Sequence, residues 1–87
     1  GGVTFTNLPK SCTVTIYTVS GEKVVSFNKE GYNNHADCGD EFSGSCFWDM
    51  RTVNNQEVAP GLYIFTVEDT SEGNENNKFI GKFAVVR

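Results

Sequence analysis

The chain has 87 residues and a formal charge of −4, a length that fits one domain burying only about 60–65% of the surface its unfolded form exposes. Its cations, Lys10, Lys23, Lys29, Arg51, Lys78, Lys82 and Arg87, are scattered singly; phosphate binding needs them clustered, which argues against nucleic acid as a partner. No apolar run is long enough to cross a bilayer and no charged-then-apolar signal segment stands at the start, so Gly1-Gly2-Val3 is expected to open a processed product or a domain, with any export signal upstream.

Val3 to Asn7 reads as a first short strand and Thr13 to Val19 as a second, with Val14 and Ile16 on one face and Thr13 and Thr15 on the other. Ser20-Gly21-Glu22 turns the chain into a third strand, Lys23 to Asn28, because Gly21 can supply the positive φ a tight hairpin needs. Residues 31–46 form a polar loop that holds two cysteines. A fourth strand is expected at Phe47 to Thr52. The stretch from Trp48 to Glu68 reads as one complete β-hairpin, with a polar turn at Val53-Asn54-Asn55-Gln56 and a sharp re-entry at Pro60-Gly61 into a fifth strand, Leu62 to Asp69. Ser71 to Asn77 is an exposed hairpin loop, and Lys78 to Arg87 the last strand. Helical periodicity and internal repeats are absent. The pattern is all-β, an antiparallel sandwich of about seven strands, with Ile16, Trp48 and Ile64 or Phe65 in one core. Tyr17, Tyr63, Phe5, Phe27, Phe79 and Phe83 also fall in strands, where alternate positions fill the space between sheets.

Several of these segments carry a resemblance. Phe5-Thr6-Asn7-Leu8-Pro9, Val14 to Val25 with its Ser20-Gly21-Glu22 turn, Trp48-Asp49-Met50-Arg51, Val58-Ala59-Pro60-Gly61-Leu62-Tyr63 and Gly81-Lys82-Phe83-Ala84-Val85-Val86 together resemble the FlgD-type immunoglobulin-like domain of the flagellar hook-capping protein. They are also similar to the related C-terminal sorting domains of the type IX secretion system. The resemblance implies an immunoglobulin-like or fibronectin type III-like sandwich spanning residues 1–87, and a non-catalytic module of an exported bacterial protein serving secretion, surface attachment or assembly. The chain departs from the pattern at Gly31 to Cys46, which is longer and richer in cysteine, and at Cys12.

The cysteines are Cys12, Cys38 and Cys46, and in a small exported domain a disulfide is their expected use. Pairing Cys38 with Cys46 closes a short loop worth about 2–3 kcal/mol in the chain-entropy model; the alternative joins Cys12 to Cys46 or Cys38 and closes a longer one. The cysteine left over is either a small buried hydrophobe or a link to a neighbouring chain. His35, Asp37, Cys38, Asp40 and Glu41 lie close in sequence, but they match neither the four converging ligands of zinc nor the six or more oxygens of calcium. No metal and no cofactor is expected. The single histidine has no nucleophile turn beside it, and Asp49 is placed to cap the turn that follows it, so no catalytic residue is expected either.

Candidate interaction residues are Val3, Phe5, Phe83 and Val85 in the terminal strands, which belong at sheet edges open to another strand. Phe42, with Tyr32 and Phe47, stands in or beside the loop, where an aromatic could stack on a sugar or fold back as a lid. Three functions remain: a structural module of an exported, surface or extracellular bacterial protein whose partners are proteins; a subunit of an extracellular fibre or sheath assembling through edge strands; and a carbohydrate-binding module.

Overall fold

Period-two alternation of apolar and polar side chains becomes strand in the long segments that show it. The computed structural model describes residues 1–40 and 42–86, and over these the regular structure is seven strands: β1 (Val3–Phe5), β2 (Cys12–Thr18), β3 (Lys23–Asn28), β4 (Ala36–Asp37), β5 (Cys46–Trp48), β6 (Gly61–Asp69) and β7 (Lys78–Val85). They form two antiparallel sheets, one ordered β1-β5-β4 and the other β3-β2-β6-β7. Face to face, the two make an immunoglobulin-like sandwich.

Each strand sends one set of alternate residues inward. Val14 and Ile16 from β2, Val25 and Phe27 from β3, Tyr63 and Val67 from β6 and Val85 from β7 meet Phe5, Cys46 and Trp48 from the smaller sheet. Phe5 ties the layers together, its ring 5.0 Å from Phe65, 5.8 Å from Phe83 and 6.4 Å from Phe27. Ile16 and Trp48 are fully buried. Of the pair Ile64 and Phe65, alternation turns Phe65 inward against the core and Ile64 onto the outer face, beside Tyr17 and Lys82. Ile64 is therefore not a core residue.

The hairpin expected from Trp48 to Glu68 does not form as such. β5 and β6 lie in different sheets, and between them Arg51 and Glu57 make one isolated bridge around a turn closed by Thr52 N–H to Gln56 O at 2.8 Å. Met50, with φ 61°, enters the left-handed region two residues after β5 ends and bends the chain out of the small sheet. Tyr63 secures the far end of this crossing: its hydroxyl donates to the Ala59 carbonyl at 2.6 Å, the tyrosine corner found in immunoglobulin-like sandwiches. The expected strands at Val3 to Asn7 and Phe47 to Thr52 are shortened for the same kind of reason, since Asn7 (φ 56°) also turns left-handed. The β2–β3 turn has Gly21 at φ 95° with Thr18 N–H bonded to Glu22 O at 2.8 Å. The last strand stops at Val85, and Arg87 lies outside the described residues.

Candidate functional site

Two regions bring chemistry-bearing residues together. The first is the flank of the sandwich where β1 and β7 end their respective sheets. On β7 the odd-numbered residues Phe79, Gly81, Phe83 and Val85 face inward and Ile80, Lys82 and Ala84 face out, following their register with β6. Val85 is buried, and Phe83 is half-buried with its ring stacked on Tyr63 at 5.8 Å and edge-on to Trp48 at 6.1 Å. Phe79 points the same way yet is 60% exposed. An open groove with an apolar floor of Val3, Phe5, Phe65, Phe79 and Phe83 runs between the 3–9 segment and the β6–β7 hairpin. Gly81 makes room there: a Cβ at this position would stand 2.5 Å from the Phe65 ring, which lies across the glycine from the neighbouring strand and would have to move. Of the terminal-strand candidates, Phe5 and Val85 are spent in the core, while Val3 and Phe83 are half-buried beside the groove.

Asp69, at the end of β6, is part of the same flank. Hydrogen bonds from the hydroxyl and the backbone N–H of Ser71 hold its carboxyl below the usual carboxylate range. Its partner is local, so this carboxylate starts the 70–77 loop.

The second region is the loop 31–46. Cys38 and Cys46 are joined by a disulfide, which fixes the loop to the inner face of β5. His35, Asp37, Asp40 and Asp49 around it are engaged with their neighbours. His35 Nδ1 lies 3.0 Å from Asp49 Oδ2, and Asp49 Oδ1 accepts from Arg51 N–H at 3.0 Å, capping the turn after β5. Asp37 accepts from Gly39 N–H at 2.9 Å, and Asp40 accepts from the N–H groups of Phe42 and Ser43 at 2.9 and 3.1 Å. Glu41 falls outside the described residues. Among the described residues no three His, Cys, Asp or Glu side chains converge on a point that could hold a metal ion. Phe42 is 83% exposed and so does not fold back as a lid, and Tyr32 is 90% exposed. Half-exposed Phe47 and Tyr32 flank a shallow cleft whose polar wall includes Asn33, Asn34 and Asp49.

Cys12 is apart from both regions and buried at the start of β2. Burial pushes its thiol up, against a smaller opposing pull from the Lys29 ammonium. Lys29 is itself buried, with Nζ donating to the Lys10 carbonyl at 3.3 Å. A lysine following a strand carries no sequence signal for burial; its long apolar stem is what allows it.

No family model and no curated protein sequence matches the chain. Among solved structures, the chain superimposes on part of a protein from a study of PorZ, described as an essential bacterial surface component of the type-IX secretion system of human oral-microbiomic Porphyromonas gingivalis. The TM-score is 0.68 over 99% of this chain at 23% sequence identity. The matched part is 10% of that larger chain. The likeness is one of fold, and it extends over the whole sandwich.

Proposed function

We propose that this chain is a non-catalytic module of an exported bacterial protein, of the FlgD-like and type IX sorting-domain kind, serving secretion or surface attachment through protein contacts. The observation that carries the reading is the end-to-end likeness of fold between this chain and one-tenth of a much larger bacterial surface protein. Two features of the residues support it. A disulfide between Cys38 and Cys46 suits an oxidising compartment outside the cytosol. His35, Asp37 and Asp40 of the loop 31–46 also bond to loop and turn groups, an arrangement with a structural use that needs no substrate.

The test is a fusion of residues 1–87 to the C-terminus of an inert periplasmic reporter, expressed in a bacterium with a working type IX system and in a secretion-deficient derivative. Surface exposure of the reporter in the first strain, seen as loss to added protease on intact cells, and its retention in the second are the expected results. Periplasmic retention in both strains would refute the secretion role. A second reading, carbohydrate binding at the loop, is favoured by exposed Tyr32, Phe42 and Phe47; glycan binding that disappears in Phe42→Ala would support it.

A further inference from the structure

Among the described residues, most strands that end a sheet are guarded against pairing with another chain. β1 has three residues and β4 two, too short to template a partner. β3 is bent by a register shift opposite Ile16 and Tyr17 and begins on the exposed Lys23. β7 shares only the exposed lysine, Lys78 at its start and Lys82 further on; it is neither short nor bent by a register shift. It runs eight residues without a proline, pairs with β6 without a register shift, and leaves its other edge open. Along that edge Phe79 and Ile80 are 60% and 64% exposed.

We propose that β7 pairs antiparallel with β7 of a second copy of this chain, about a two-fold axis through Gly81, making one continuous sheet from the two β3-β2-β6-β7 sheets. The register follows from side-chain chemistry. An axis perpendicular to the sheet keeps both sandwich interiors on one side, so residues that face each other must share a face, odd with odd and even with even. With the axis at Gly81, Phe79 faces the second copy's Phe83, Ile80 faces its Lys82, and Lys78 faces its Ala84, so residues 78–84 of each strand are matched. Moving the axis to Lys82 brings the two copies of Lys82 together, and moving it to Ile80 brings Lys78 against Lys82; like charges directly opposite destabilise a pair. Lys78 is already 3.6 Å from Glu68 of its own chain. At the axis Gly81 adds no side chain to the inner face between the two Phe79–Phe83 pairs, and the exposed Phe79 gains an aromatic neighbour. The seam is narrow, so the dimer is weak and concentration-dependent.

This inference deepens the reading of the chain as a protein-contact module and rests on it. Sedimentation equilibrium of the chain over a concentration series tests it. The parent should self-associate reversibly. Ile80→Lys places a lysine opposite the second copy's Lys82 on both sides of the axis and should weaken association about tenfold. Adding Lys82→Glu to that variant turns both contacts into opposite-charge pairs and should restore association, whereas Val53→Lys, in an exposed turn away from the seam, should change nothing. Circular dichroism checks folding. If Ile80→Lys does not fold, Ala84→Lys, which would face the second copy's Lys78, gives the same reading. A parent that stays monomeric throughout, a dimer indifferent to Ile80→Lys, or a failure of Lys82→Glu to restore association would each overturn the pairing. A monomeric parent with a surface-exposed reporter fusion would remove the dimer and leave the module reading standing.

Discussion

Replacing Trp48 by alanine removes the side chain around which the two sheets close. The indole is 0% exposed, on the central strand of the small sheet between Val3 and Ala36. It meets Phe83 of the large sheet edge-on at 6.1 Å, and its Nε1–H donates to the Arg51 carbonyl at 3.1 Å. Lost transfer free energy and the cavity left behind come to about 3–5 kcal/mol, the edge-on ring pair accounting for about 0.5–1.5 kcal/mol of specific contact. A domain of 87 residues has roughly 4–13 kcal/mol of stability in total, so the substitution removes a large part of it. At about 4–8 °C per kcal/mol the melting temperature should fall by at least about 12 °C. Thermal and urea melts followed by far-UV circular dichroism measure this; fluorescence does not serve, since Trp48 is the single tryptophan. Trp48→Phe, which keeps a ring and loses the Nε1–H bond, should lie between parent and alanine variant. An alanine variant melting within about 4 °C of the parent would mean that Trp48 does not face the core and that the facing of β5 is wrong.

A non-reduced digest of native protein should yield a peptide pair joined through Cys38 and Cys46, and reduction should lower stability by about 2–3 kcal/mol in a urea titration. Three free thiols in native material would contradict this. Cys12, 2% exposed with its thiol pushed up by burial, should resist a thiol reagent at neutral pH in the folded protein and react once urea unfolds it; rapid labelling of the native state would show that the start of β2 opens. Asp69 is held as a carboxylate by Ser71, so the folded state binds its proton less tightly than the unfolded state. Its contribution is complete above the unfolded value and is lost as pH falls through the folded one. The difference in urea midpoint between parent and Asp69→Asn should therefore shrink as the pH falls through and below the ordinary carboxylate range, and a difference that grows on acidification would reverse the sign of the effect.

Local chemistry made the β2–β3 hairpin legible in the sequence: Val14, Ile16, Val25 and Phe27 alternate, and Gly21 has the positive φ that the turn needs. The same kind of reading joins Trp48 to Glu68 as a hairpin, which the structure does not form, because a polar turn between two apolar runs looks alike whether the runs pair or pass to opposite sheets. What separates the cases is the left-handed Met50 and the Tyr63-to-Ala59 corner, and a left-handed methionine has no composition signal. β4 was not visible because two residues, Ala36 and Asp37, form a strand only through β5 beside them. At the candidate site the open edge at the last strand was legible from its apolar, β-prone run, but the exposure of Phe79 was not. That exposure depends on how far the small sheet reaches, a tertiary property, and alternation alone assigns Phe79 to the core beside Phe83. The loop 31–46 shows the opposite balance: its cysteines announced a staple, while the capping roles of Asp37 and Asp40 and the pairing of His35 with Asp49 depend on loop geometry.

The most direct test of export is to locate the native protein in the cells that make it. An antibody raised against residues 1–87 should label intact cells or their medium, and protease added to intact cells should remove the cell-associated signal. Protein that is protected from protease until the cells are lysed, and that fractionates with cytosolic markers, would contradict an exported module.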